Sequence, residues 1–210
     1  MTRGQSNPEG RPTCFSCFRP TSHCTCSLVE PFAGHTNVLI LQHPHERKKY
    51  YSTAKIVVKG MTNAQLVRGI EFEPGMLDRC LQGKQGYLLY PSPGAIDCED
   101  VKLDSNSTVV VVDGTWAEAG KIVYCNPRLK ELPCLTFKRP LRSTYRIRKQ
   151  PREHYLSTLE SIAYLLKLNA AAQGKEVEAA KYDRLLDGFA QMVEQQLCYI
   201  EGSMNFARQA

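Results

Sequence analysis

The chain lacks the loops that announce the common nucleotide and hydrolase sites. It has no G-x-G-x-x-G, no Walker loop, no H-E-x-x-H and no G-x-S-x-G. Hydride transfer, nucleotide-phosphate hydrolysis and triad hydrolysis therefore lack their usual residues. No apolar run reaches the roughly 20 residues that span a bilayer, so no membrane partner is expected. The N-terminus is polar, without the apolar core of a secretory signal, and the expected location is cytoplasmic. There is no internal repeat, no low-complexity tract, and one tryptophan in 210 residues.

What is present suits one domain with a small appendage. Hydrophobic residues make up 42%, enough for a full core, and the net charge is +6. That charge fits a nucleic-acid partner without demanding one. Nine cysteines is many for an intracellular chain; the number is odd, and four crowd into residues 14–26. A metal site in a reducing compartment explains this better than a disulfide framework.

Residues 1–12 are polar and rich in Gly and Pro, and read as a disordered tail. Residues 13–34 hold the cysteine module and 35–210 the main domain. Strands are expected at 38–41, 86–90, 108–112 and, briefly, 135–137. Residues 52–58 suit either a strand or a helix start, and 63–67 are weakly helical. A capping box, Ser157-Thr158-Leu159-Glu160, opens a helix to about Ala172 that Gly174 ends. A second helix is expected over 177–200, with Leu185, Phe189, Met192, Val193 and Leu197 on one face. Strands alternating with helices predict an α/β fold, a mostly parallel sheet flanked by helices, with a small N-terminal zinc module.

Cys14-x2-Cys17 and Cys24-x-Cys26 form two short knuckles of the kind that face each other around tetrahedral zinc. His23 is an alternative ligand. Nothing near them in sequence, Arg19 included, would activate a nucleophilic thiol. Redox thiols or a disulfide pair are the rival readings. Cys134 and Cys198 sit in apolar contexts and read as core packing.

Asp113-Gly114-Thr115-Trp116 follows the most strand-like run and precedes a helix start. Ligands of open α/β sheets bind at such carboxyl ends of strands. Asp113 offers a base, an orienting group or a cation partner; Gly114 permits close approach to the backbone; Thr115 can cap the helix; Trp116 can stack on a base or lie over a cation. The structural alternative is a capped turn with a core tryptophan. His43 and His45 read as turn residues, because two histidines without an acidic or thiolate companion do not make a metal site.

Residues 138–152 carry seven basic residues and no acid. Beside Tyr145, that density suits phosphate contact and base stacking. Arg139, Arg142 and Arg146, with the basic knot Arg47, Lys48 and Lys49, are the expected RNA contacts. Arg146 and Arg148, alternating around Ile147, would share one face of an extended segment.

Taken together, Cys14-x2-Cys17-x6-Cys24-x-Cys26, Gln42-His43-Pro44, Leu89-Tyr90-Pro91, Asp113-Gly114-Thr115-Trp116-x2-Ala119, Ser143-x-Tyr145-x-Ile147-Arg148 and Leu156-Ser157-Thr158-Leu159-Glu160 occur in order. In this the chain resembles the DTW-domain proteins, tRNA-uridine aminocarboxypropyltransferases, over about residues 14–166. The resemblance implies a SPOUT-like fold with a knotted C-terminal part, an exception to unknotted topology. It implies S-adenosylmethionine as donor of its 3-amino-3-carboxypropyl arm, N3 of a tRNA uridine as acceptor, and methylthioadenosine as leaving group.

That chemistry can be matched to residues. Asp113 is the candidate to take the N3 proton or to hold donor or base. Trp116 or Tyr145 would lie over the sulfonium. Arg148 would take the donor carboxylate, and Glu160 or Asp113 its ammonium. The segments Leu89 to Ser92, Asp113 to Trp116 and Tyr145 to Thr158 would converge as three loops on one donor pocket, with Leu89, Pro91, Ser92, Asp113, Gly114, Thr115, Trp116, Tyr145, Arg148, Ser157 and Thr158, and Glu160 beyond them, as its candidate residues. The zinc module and the basic segments would hold tRNA. Three rivals stand beside this reading: a SPOUT-type RNA methyltransferase, a non-catalytic zinc-stabilised RNA-binding protein, and a redox or metal sensor.

Overall fold

The computed structural model describes residues 12–17, 19–49, 52–147 and 155–209, without the side chains of Lys48 and of residues 201–209. Nearly all of the expected N-terminal tail (residues 1–11), and Arg148 with the rest of 148–154, lie outside the described residues.

Six strands, β1 (Asn37–Gln42), β2 (Ala64–Arg68), β3 (Gln85–Leu89), β4 (Ile96–Asp97), β5 (Ser107–Asp113) and β6 (Cys134–Thr136), form one sheet in the order β2-β1-β5-β3-β6-β4. Every pairing in it is parallel. Parallel strands need helical crossovers, which cover both faces, and the helices sort accordingly. Val38 and Ile40 of β1 with Val109 and Val111 of β5 pack toward α1 (Thr53–Gly60), α5 (Thr158–Ala172) and α6 (Glu176–Gln209). Leu39 and Leu41 with Val110 pack on the other face against α2 (Met76–Leu81), α3 (Trp116–Cys125) and α4 (Pro127–Lys130). The continuous apolar runs of β1 and β5 follow directly: alternate residues serve two cores.

The strands at 38–41, 86–90, 108–112 and 135–137 stand within a residue or two of expectation, and residues 52–58 resolve as helix α1. The weakly helical reading of 63–67 was wrong. Ala64 to Arg68 are helix-tolerant residues, but they pair with β1 in register from Val38↔Ala64 to Gln42↔Arg68, and the ladder overrides local propensity. Helix α2 and the two-residue β4 were not anticipated. Gly174 ends α5 as expected, at φ 70°, with its N–H on Ala171 and that of Lys175 on Ala170. Helix α6 runs on to Gln209. Core packing fails for Cys198, which is exposed, and holds partly for Cys134, half-buried against the second core; Cys98 is the fully buried thiol.

The cysteine module is not an outlying bead. Val29 belongs to the main core, and Leu28 and Val29 lie against Gly60 of α1 and Gly188 of α6, where a Cβ would meet them at 2.6–2.7 Å. The last strand, β6, sits between β3 and β4, which are joined by residues 90–95.

Candidate functional site

The carboxyl ends of β3 and β5 and the amino ends of α1, α3 and α5 surround a cavity of about 280 Å³. Among the sequence-predicted residues, Leu89, Pro91, Asp113, Gly114, Thr115, Trp116, Tyr145, Ser157 and Thr158 line it. The three predicted loops do converge. Ser92 and Glu160 are not among the lining residues, and Arg148 lies outside the described residues. Tyr90 and Tyr155, within the segments expected to converge, also line it, and Glu46, Ser52, Thr53 and Ser161 line it without having been anticipated.

Asp113 ends β5, buried at 7% exposure. Its Oδ1 accepts from the Thr158 hydroxyl at 2.5 Å and its Oδ2 from Gln42 Nε2 at 2.8 Å. Gln42 is fully buried, also donates to Ser52 Oγ at 3.1 Å, and accepts from Arg68 Nε at 2.9 Å through Oε1. Arginine has no acceptor, so Arg68 dictates which end of the Gln42 amide faces Asp113. The result is a directed chain, guanidinium to amide to carboxylate, that orients Asp113. Gln42 was missed as a site residue; the available signal was a polar side chain closing an otherwise apolar strand.

Glu160 does not serve the cavity, because its oxygens are committed elsewhere. Oε1 accepts from the Thr144 N–H at 2.6 Å and its hydroxyl at 3.0 Å; Oε2 accepts from Ser143 Oγ and Ser157 N, both at 2.8 Å. A fully buried carboxylate with four donors is stable where it is. It fastens the 143–144 segment to the start of α5 and so carries Tyr145 to the cavity wall. The expected capping box is present, with the Ser157 hydroxyl accepting from Glu160 N.

Thr115 caps α3 in a second capping box with Glu118. Both readings of this turn hold: it caps a helix and lines a cavity. The core tryptophan does not, since Trp116 is 49% exposed. A Cβ on Gly114 would meet Glu118 and His43 side-chain carbons at 3.1 and 3.3 Å, so this glycine makes room for the protein's own side chains. The premise that His43 and His45 lack an acidic companion also fails. Their Nδ1 atoms lie 3.2 and 2.9 Å from Glu118 Oε1, a group with the spacing to hold an ion. Glu118 lies 73 residues beyond His45, out of reach of local spacing. Burial opposes its ionisation, but donors from Thr115 and His45 and the charge of His43 outweigh it and hold Glu118 at about 2.

Cys14, Cys17, Cys24 and Cys26 bring their sulfurs within 4.8 Å of one another. The Cys14–Cys26 and Cys17–Cys24 contacts are 3.6 and 3.8 Å. A tetrahedron with Zn–S near ~2.3 Å has edges of ~3.8 Å, and a disulfide needs ~2.05 Å. The cluster therefore fits a metal. Backbone N–H groups of Cys17 and Ser16 lower the Cys14 thiol to about 6. The expectation that nothing nearby could activate a thiol is corrected: Lys59 of α1 donates to Cys26 Sγ at 2.5 Å. Burial pushes the Cys26 thiol up, yet Lys59 and Cys24 leave it below its ordinary value.

Of the expected RNA contacts, Arg47, Arg139, Arg142 and Arg146 are exposed. Lys49 pairs with Glu46 at 2.5 Å, Arg139 with Glu99 at 3.0 Å, and Arg146 with Glu194. The side chain of Lys48 is outside the described residues. The basic segment has no acid in its own sequence, but the fold sets acids from elsewhere beside it. Among the described residues no helix is long and apolar enough to cross a membrane.

Residues 11–197 match the DTW domain family. The chain is 35% identical over 168 residues to the tRNA-uridine aminocarboxypropyltransferase 2 of Drosophila melanogaster, covering 76% of this chain and 67% of the relative. Proteins of the same name from Macaca fascicularis and Mus musculus are 33% and 31% identical over 170 residues, covering 75% and 76% of this chain but 56% and 57% of their own lengths. The chain thus spans little more than half of those two relatives. No solved structure matches it.

Proposed function

The chain belongs to the DTW-domain family, and from that premise we propose that it is a tRNA-uridine aminocarboxypropyltransferase using S-adenosylmethionine as donor. The observation that carries the reading is the oriented Asp113 carboxylate in the wall of a cavity at the carboxyl ends of parallel strands, where such folds bind small molecules.

In the proposed reaction the uridine N3 attacks the donor's γ-carbon. The S–Cγ bond breaks, its electron pair neutralises the sulfonium to the thioether of methylthioadenosine, and the N3 proton leaves. Asp113 takes that proton or holds the imide for its loss. Among the described lining residues the other carboxylate is Glu46, 3% exposed. With all four of its contacts inward, Glu160 does not face the cavity, and Glu46, which lines it while holding Lys49 through Oε1, is the side chain we assign to the donor's ammonium. The amino end of α5 supplies the positive dipole end and the Ser157 and Ser161 hydroxyls toward the donor carboxylate, while the Thr158 hydroxyl stays on Asp113, and the family resemblance adds Arg148.

Three further parts belong to this reading. The four thiolates hold structural zinc; their near-tetrahedral spacing supports it. A SPOUT-type C-terminal knot is supported by β6 lying between two strands consecutive in the chain. Phosphate contacts to tRNA fall to the basic groups, with Arg47, Arg139, Arg142 and Arg146 exposed.

Nucleoside mass spectrometry of tRNA incubated with protein and donor tests the proposal. It expects an aminocarboxypropyl uridine and a stoichiometric yield of methylthioadenosine. S-adenosylhomocysteine in place of methylthioadenosine would make the protein a methyltransferase instead.

A further inference from the structure

Three aromatic rings from three separate segments meet at the cavity. Trp116 opens α3, Tyr90 follows β3, and Tyr155 precedes α5; all three line the cavity. The indole centroid lies 6.4 Å from the Tyr90 ring and 5.2 Å from the Tyr155 ring. The tyrosines are inclined to it at 58° and 55°, so neither lies over it as a parallel stack. Trp116 keeps 49% of its surface exposed. A large apolar ring left in water at the rim of a binding cavity is an informative exposure.

Size gives a second, independent observation. At about 280 Å³ the cavity is no larger than the low end of the roughly 300–1,000 Å³ that a single small ligand occupies. It has room for one of the two substrates. The other must meet it at the mouth, where the exposed indole stands. Of the two, the acceptor is tethered to a polymer that cannot enter. A base taken out of a nucleic-acid stack loses its π contacts, and aromatic side chains replace them. A cation, by contrast, gains most from an aromatic face that is desolvated, which a half-exposed indole is not.

We propose that Trp116, flanked by Tyr90 and Tyr155, is the stacking platform for the acceptor nucleobase outside the cavity, and not the clamp on the donor's sulfonium. This rests on the transferase reading above. It places the donor inside against Asp113 and the unstacked pyrimidine on the indole, three residues along the same turn, so that one turn serves both reactants.

Trp116 is the chain's single tryptophan, so intrinsic fluorescence reports on this ring alone. The full chain is titrated with an oligouridylate, with an abasic strand of equal length, and with S-adenosylmethionine, whose sulfonium is the group at issue, and calorimetry follows binding of the last. The expected result is quenching by the oligouridylate and none by the abasic strand. Trp116→Ala weakens oligouridylate binding roughly tenfold, the loss of one stacked base, while S-adenosylmethionine binds as in wild type; Trp116→Phe recovers most of the RNA affinity. Equal quenching by the abasic strand, or no response to oligouridylate, overturns the proposal. So does loss of S-adenosylmethionine binding in Trp116→Ala with Trp116→Phe rescuing it, which would assign the indole to the donor. Uridylate-dependent quenching in a protein that binds no S-adenosylmethionine would support the platform and sink the transferase reading instead.

Discussion

Gln42 and Thr158 donate to Asp113 in different ways, and the difference decides what a substitution there reports. Gln42 Nε2 can only donate, because Arg68 holds the other end of that amide. The Thr158 hydroxyl can reverse and accept. Asp113→Asn keeps both contacts in one orientation, oxygen toward Gln42 and amide nitrogen toward Thr158. It removes the proton acceptor without orphaning either of these two side chains. The expected outcome is a fall in kcat of about 100-fold or more, with the thermal midpoint within a few degrees of wild type. Gln42→Met does the reverse: it leaves Asp113 and Arg68 each short of a buried partner and costs about 1–3 kcal/mol in urea unfolding. Retention of most activity in Asp113→Asn would confine Asp113 to orientation.

At the scale of elements, two capping boxes do more than start helices. Ser157 and Glu160 start α5, and the same glutamate ties down residues 143–144. Thr115 and Glu118 start α3, and the same glutamate gathers His43 and His45 from the end of β1. Glu118 titrates near 2 in the fold, against an ordinary value of 4.5. A carboxyl ionised more readily in the folded chain than in the unfolded one contributes its full stability above 4.5 and loses it as pH falls toward 2. Stability measured by urea unfolding should therefore drop across that window. In Glu118→Gln the drop should be visibly smaller, with a loss of about 1 kcal/mol already present at pH 7, because a neutral acceptor replaces the charged one while the capping box is kept. Parallel pH profiles for the two proteins would remove Glu118 from this account.

Across the whole molecule, the cysteine module and the main domain share one core. Leu28 and Val29 are wedged against α1 and α6, Arg19 Nη2 meets Met192 at 3.2 Å, and Lys59 of α1 reaches Cys26. Loss of the metal should therefore be felt far from the cysteines. Replacing Cys14 and Cys17 by Ser is expected to remove one zinc per chain by metal analysis. It should lower the melting temperature of the entire protein by at least about 5 °C, or about 2 kcal/mol, in a single transition. Wild-type protein without zinc, or a variant melting in two separate steps, would break the link between metal and core.

Much of this protein was determined by order along the chain. The apolar runs of β1 and β5, the Ser157 capping box, the Gly174 stop, the paired knuckles and the Asp113 turn are properties of neighbouring residues. Dihedral preference, capping and hydrophobic period act over a few positions. The tertiary structure alone decided the rest. It made a strand of residues 64–68 by laying them beside β1, placed Gln42 on Asp113 and Glu118 on two histidines, committed Glu160 to Ser143, Thr144 and Ser157, and set Glu99 and Glu194 against a segment that carries no acid of its own. Hydrogen bonds and ion pairs act over a few ångströms in space whatever the separation in sequence. Partners 50 or 70 residues apart acquire meaning only once the sheet has brought their strands together.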